Sequence, residues 1–186
     1  RLHHTSGALL CTHFGISGPA VLDISRHYLL AHLHDPHASL FVNFLPGSPP
    51  ETLDAALQTL GKRAPLRLLT PPLPERLGRA LCAQAGLPAG ITGSTLTRQQ
   101  RRALVQTVTA LRLPITGSRG FQAAEVTAGG VPLNEVFLAR MESRCTPGLY
   151  LCGEICDVDG RIGGFNFQWA WASGYVAGSS VFASKT

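Results

Sequence analysis

The residue types best suited to chemistry lie close to the C-terminal end of the chain. Residues 149–152 are apolar and predict a short strand, and Gly153-Glu154 follows directly. An acidic loop and the pair Gly163-Gly164 then lead into a long apolar helix that is predicted to end near Ala183. Ligands of open α/β sheets bind beyond the carboxyl ends of strands, and a helix N-terminus offers free amides and partial positive charge. The pattern is typical of a cofactor pocket, although a plain buried strand–helix turn also accounts for it.

Short strands and one helix are predicted to position this segment. Residues 8–12 predict a buried strand, followed by a turn and a helix that Ser17 caps. Residues 39–45 are apolar on both faces and predict a strand buried on both sides. Strand character returns at residues 113–116 and 122–127, and the glycines between them predict a hairpin.

The middle of the chain has a different character. Thr97 and Gln100 have the spacing of a capping box, in which each side chain satisfies an amide at the helix start. Residues 62–119 hold ten basic residues and one acidic residue, whereas the whole chain has a net charge of only +5. Such a segment binds nucleic acid or phosphate, or it is a solvated helical surface. Helices are predicted at residues 51–60, 74–85 and 97–111.

Composition limits the protein class. The chain of 186 residues is 45% hydrophobic and 15% charged, which indicates a folded chain and argues against disorder. Its five cysteines are odd in number and form no CxxC pair, so we expect reduced thiols. The sequence predicts no signal peptide, no membrane span and no metal site, and therefore a cytoplasmic location. The chain begins at Arg1, and we expect it to be a segment of a longer protein.

Several blocks together resemble the C-terminal part of the YhiN/BaiN-like bacterial flavoproteins, which include aminoacetone oxidase. The resemblance covers about residues 1–45 and 114–182, and it implies an FAD-dependent oxidoreductase. The implied fold is α+β: a β-rich, barrel-like domain interrupted by a small helical insert, and the last strand and helix of a Rossmann-type FAD-binding domain. The implied domains are 1–45 with 114–143, the insert 46–113, and 144–186. The blocks that carry the resemblance are residues 12–19, 124–131, 141–143, 148–154, Asp157 and 163–170.

The family's flavin contacts carry over to matching positions of this sequence. The resemblance implies that Gly153, Glu154 and Asp157 lie near the ribityl and pyrophosphate part of FAD. It places the start of the last helix near the isoalloxazine ring and leaves His13 and Ser17 as candidates on the substrate side. The family often has Tyr where Phe165 stands, and its N-terminal Gly-x-Gly-x-x-Gly fingerprint is absent, so the FAD site is incomplete here. The residues implied at the ring are Gly163, Gly164, Phe165, Asn166 and Phe167.

Other aspects of function stay open at the level of sequence. No catalytic acid or base is identified, and the small-molecule substrate is unknown. NAD(P)H is left open as a second cofactor, and an oligomer formed through an exposed sheet-packing surface is left open too. The alternative function is a nucleic-acid-binding module built on residues 62–119. Nucleic acid is not the expected partner, because no Phe, Trp or Tyr occurs between residues 45 and 120 to stack on bases.

Overall fold

A computed structural model describes residues 3–183 of the chain. The chain divides into two compact units. Unit 1 comprises Arg1–Pro36 with Gly117–Thr186, and unit 2 comprises His37–Thr116. In chain order the strands and helices are β1 (Leu10–Thr12), β2 (Gly15–Ser17), α1 (Pro19–His34), β3 (Leu40–Val42), α2 (Pro50–Gln58), α3 (Leu66–Leu69), α4 (Glu75–Gln84), α5 (Arg98–Thr109), β4 (Leu111–Leu113), β5 (Val136–Phe137), β6 (Glu142–Ser143) and α6 (Phe165–Ala183).

Unit 2 is a small helical body around a leucine-rich core. The three predicted helices are confirmed as α2, α4 and α5, and α3 is an additional short helix. The predicted capping box is also confirmed: Gln100 N donates to Thr97 Oγ1 at 3.2 Å, and Thr97 N donates to Gln100 Oε1 at 3.0 Å. The helices pack because each turns one apolar stripe inward. The buried core residues are Leu53, Leu57, Leu60, Leu69, Leu81, Leu104 and Val108.

The strand predictions need three corrections. The predicted buried strand at 8–12 is β1, which is largely exposed and pairs antiparallel with β2. Ser17 therefore lies in a strand, and Gly18 rather than Ser17 stands at the start of α1. The strand predicted at 39–45 is only β3, and it is not buried on both sides, because Phe41 is 57% exposed.

The predicted hairpin at 113–116 and 122–127 is wrong. β4 ends at Leu113 and pairs antiparallel with β3, with Leu40 opposite Leu113. Residues 121–123 form a 3₁₀ turn instead of a strand. Pairing of β3 with β4 thus brings the two ends of the helical segment together, since the chain between these strands holds α2 to α5.

Unit 1 has a smaller core formed by the C-terminal helix and two short strands. α6 is confirmed close to its predicted bounds, and its Ala177 packs with Val136 of β5, Met141 and Cys156. The opposite side of α6 is exposed, with Trp171 and Tyr175 at 71% and 78%. Helices and small sheets together make the fold α+β. Each sheet within residues 3–183 has only two strands, so the barrel-like arrangement is not confirmed.

Over residues 3–183, no helix has both the length and the apolar character needed to cross a bilayer.

Candidate functional site

The Gly153 turn is held by α6. The strand predicted at 149–152 is reduced to a single antiparallel bridge between Tyr150 and Glu142, and residues 153–155 form a 3₁₀ turn. Gly153 N donates to Ser173 Oγ at 2.9 Å, and Trp169 Nε1 donates to Gly153 O at 3.0 Å. Both backbone polar groups of Gly153 are therefore bonded to side chains of one helix, which fixes the turn against α6.

The two predicted acidic residues hold a neighbouring loop. Thr127 N donates to Glu154 Oε1 at 2.9 Å, and Gly129 N donates to Asp157 Oδ1 at 3.2 Å. Backbone bonds join the same segments, with Val131 N to Ile155 O at 2.8 Å and Asp157 N to Val131 O at 2.9 Å. Each carboxylate thus uses one oxygen to order the loop at 127–131, and both side chains stay on an exposed surface.

Close packing explains one glycine of this loop. A side chain at Gly130 would place its Cβ 2.5 Å from Ile155 O, and the backbone there has φ +141°. Only glycine allows the loop to approach the acidic turn so closely.

Helix α1 holds the second half of the acidic loop. Arg26 forms an ion pair with Asp159, and Ile162 N donates to Asp23 Oδ1 at 2.8 Å. Arg26 Nε also donates to His27 Nε2 at 3.2 Å. Burial, followed by the neighbouring His3 and Arg26, lowers the pKa of His27, which suits a neutral ring that accepts a hydrogen bond. Helix α1 therefore holds the loop through one hydrogen bond to its backbone and one ion pair.

The glycine pair brings the chain to an open helix start. Gly163 and Gly164 have φ values of +116° and +85°, and a Cβ on Gly164 would meet nothing within 4 Å. α6 begins at Phe165, and its first intrahelical bond runs from Gln168 N to Gly164 O at 3.0 Å. The amides of residues 165–167 are first-turn donors that a helix leaves without intrahelical acceptors. Phe165 and Phe167 are 51% and 62% exposed, so this end of α6 is accessible.

The structure brings the predicted flavin residues together in unit 1 but does not join His13 and Ser17 to them. His13 lies in the turn between β1 and β2, is exposed, and has its ring edge-on to Phe14 at 5.1 Å between centroids. Ser17 lies in β2 opposite Leu10. Among the described residues, no hydrogen bond or ring contact links either side chain to the loop at 153–164.

Three residues of the site were missed by sequence reasoning. Asp23, Arg26 and Ser173 hold the loop, yet nothing in their local sequence marks them. The contacts of Asp23 and Arg26 cross 139 and 133 residues of chain. Only the three-dimensional packing reveals them.

Part of the basic segment is structural. Arg101 Nε donates to Asp54 Oδ1 at 2.6 Å, and this hydrogen bond lowers the pKa of Asp54. Arg79 Nε donates to Glu75 Oε1 at 2.9 Å on the surface of α4. These pairs account for two of the basic residues of unit 2.

As for metals, the part of the chain from residue 3 to 183 contains no group of three or more His, Cys, Asp or Glu side chains placed to hold an ion.

Comparisons with known proteins place the chain in a family. Residues 60–180 match the family model described as HI0933-like protein Rossmann domain. The chain is 38% identical over 179 residues to the ribosomal RNA dihydrouridine synthase of Escherichia coli, covering 96% of this chain and 43% of that protein. It is 35% identical over 184 residues to the 3-dehydro-bile acid delta(4,6)-reductase of Clostridium scindens, covering 97% of this chain and 45% of that protein. The ribosomal RNA dihydrouridine synthase of Haemophilus influenzae is 35% identical over 174 residues, or 93% of this chain and 42% of that protein. The chain thus spans less than half the length of these curated relatives.

Proposed function

The chain belongs to the family of the HI0933-like protein Rossmann domain, and from this premise we propose that it is the C-terminal part of an FAD-dependent oxidoreductase. The resemblance to the YhiN/BaiN-like family seen in the sequence is confirmed by this membership. The single observation that carries the proposal is the open, glycine-preceded start of α6 beside the braced acidic turn.

The residues present fit one side of a flavin site. Gly164 has a left-handed backbone and free space where a side chain would stand, so a ligand can approach the main chain there. The first-turn amides of α6 and the helix dipole favour an electron-rich or anionic group. Glu154 and Asp157 each keep an oxygen beyond the one that binds the 127–131 loop, and carboxylate oxygens accept hydrogen bonds from hydroxyl groups.

Each part of the site then has a role. Glu154 and Asp157 would face the ribityl and pyrophosphate portion of FAD, and Gly163 to Phe167 would face the isoalloxazine ring. Bound FAD supplies the redox chemistry, whereas the protein supplies position and electrostatics. The positive end of α6 favours negative charge on the ring. The hydrogen bonds of Ser173 and Trp169 to Gly153 hold the turn in a fixed position against the helix. NAD(P)H is a suitable electron source, and we expect the protein to act in the cytoplasm.

The names of the relatives suggest a reaction class. Forming dihydrouridine means reducing the ring carbon–carbon double bond of uridine, and a delta(4,6)-reductase is named for reduction at carbon–carbon double bonds. We therefore propose reduction of a carbon–carbon double bond, with either an RNA uridine or a small conjugated ring compound as substrate.

A pair of glycine substitutions tests the site. We would express the full-length protein that contains this chain and measure the bound flavin of Gly164→Leu and Gly90→Leu from the absorbance near ~450 nm. Both glycines have positive φ, at +85° and +77°, and both have open space, but Gly90 lies in unit 2. The proposal predicts that Gly164→Leu loses flavin and that Gly90→Leu keeps it. Equal flavin content in the two purified variants would overturn the assignment.

A further inference from the structure

We infer that unit 2 binds the phosphate backbone of a folded RNA through its exposed arginines. This basic surface comprises two exposed groups, Arg98 with Arg102 on α5, and Arg112 on β4 with Phe41 on β3. The inference rests on the proposed function, since RNA is one of the two substrate classes considered there. It concerns residues outside the flavin site.

The first argument is the charge of unit 2. Residues 37–116 hold nine Lys and Arg residues against three Asp and Glu residues. Two of those acids, Asp54 and Glu75, are already engaged by Arg101 and Arg79. Within the described residues, none of the three arginines of the basic surface forms an ion pair, and all three are exposed. The surface therefore presents net positive charge to solvent, which attracts a polyanion.

The second argument is the arrangement on α5. Arg98 and Arg102 are four residues apart and share the exposed side of the helix, about 6 Å apart along its axis. Leu104 and Val108 occupy the buried side. The exposed side is completed by Gln106, whose amide can also donate to phosphate.

The third argument is a contact between segments that the sequence keeps apart. The basic segment has no aromatic residue of its own, which is why nucleic acid was not the expected partner. The fold supplies one, because β3 pairs with β4 so that Phe41 lies directly opposite Arg112. Directly opposed residues of an antiparallel pair share one face, and here both are exposed, with Phe41 at 57%. An exposed ring beside an arginine can stack an unpaired base while the arginine binds its phosphate.

RNA fits this combination better than a membrane or an acidic protein. A membrane surface needs a broad apolar face next to the positive charge, and the outer side of α5 is polar. RNA loops offer both phosphates and splayed bases, which match the arginines and the single ring.

The test measures RNA binding by the full-length protein that contains this chain. A fluorescein-labelled stem–loop RNA is titrated by fluorescence anisotropy over a series of salt concentrations. We expect the slope of log Kd against log salt to fall by about one for each of Arg102→Gln and Arg112→Gln. Phe41→Leu should weaken binding about tenfold at constant slope, because it removes stacking and no charge.

Arg79→Gln is the matched control. It makes the same charge change in unit 2, but Arg79 lies on α4 beside Glu75. We expect each variant to fold, since all these side chains are exposed, and circular dichroism checks this. The inference is overturned if Arg79→Gln weakens binding as much as Arg112→Gln, if the protein does not bind the RNA, or if it binds phosphatidylserine vesicles with the same salt dependence. The flavin absorbance of the full-length protein separates the two proposals. A yellow protein without RNA binding removes only this inference, and a colourless protein that binds RNA removes only the flavin proposal.

Discussion

The contact between Ser173 and the Gly153 turn gives the sharpest test of how the site is held. Ser173 is 2% exposed, and its hydroxyl donates to Trp169 O at 2.6 Å while accepting from Gly153 N at 2.9 Å. In Ser173→Ala the carbonyl of Trp169 still accepts the backbone hydrogen bond of the helix, but Gly153 N loses its acceptor. Leaving a buried donor unsatisfied costs about 1–3 kcal/mol. Gly153 is half-buried, so we expect about 1–2 kcal/mol.

The same helix offers a matched control. Ser180 Oγ donates only within α6, to Val176 O at 2.8 Å. Ser180→Ala makes the same chemical change and gains the same helix propensity, a few tenths of a kcal/mol. The difference between the two variants therefore isolates the bond to Gly153.

Urea unfolding followed by tryptophan fluorescence measures this difference. The two tryptophans of the chain, Trp169 and Trp171, both lie on α6, so the signal reports on unit 1. With an m-value of about 2 kcal/mol/M, we expect Ser173→Ala to unfold at about 0.5–1 M less urea than Ser180→Ala. Coincident unfolding curves would refute the reasoning that Ser173 holds the turn.

Three further predictions concern the capping box at Thr97, the protonation of His27 and the reactivity of Cys156. Thr97→Ala removes the bond that Gln100 N donates to Thr97 Oγ1 and should lower the free energy of unfolding of unit 2 by about 1 kcal/mol in far-UV circular dichroism; an unchanged midpoint would contradict it. Burial lowers the pKa of His27 in the folded state, so the unfolded chain binds the proton more readily. Stability should therefore fall as the pH drops below the ordinary histidine value, and His27→Gln should flatten this dependence; parallel pH profiles would speak against it. Burial raises the pKa of the Cys156 thiol, so iodoacetamide should modify it more slowly than exposed Cys145, and equal rates of modification by mass spectrometry would disprove this.

The helices of unit 2 were predictable because their signals are local. The capping box at Thr97 and Gln100 marks the start of α5, and apolar spacing marks its length. The three helices begin and end within two residues of the predicted bounds. Such signals need no knowledge of distant contacts.

The strands were not predictable because their pairing is long-range. β3 and β4 have three residues each, and Leu40 pairs with Leu113 across the whole helical body. At the start of α1, Ser17 has the side chain of a cap, but Gly18 takes the position. Gly18 has φ +99°, and a Cβ there would lie 2.8 Å from Ala8 O. The close approach of residue 8, which the local pattern does not show, therefore requires glycine at position 18.

The candidate site divides in the same way. Its glycines and carboxylates are adjacent in sequence, so Gly153, Glu154 and Gly164 could be singled out. Their supports could not, because Asp23 and Ser173 reach the loop from two different helices.

The absorbance spectrum of the purified full-length protein tests the central claim most directly. We predict a flavin band near ~450 nm that is released as FAD on denaturation, since the cofactor carries the chemistry. A protein that is colourless and stays colourless after refolding or incubation with FAD would contradict the proposed function.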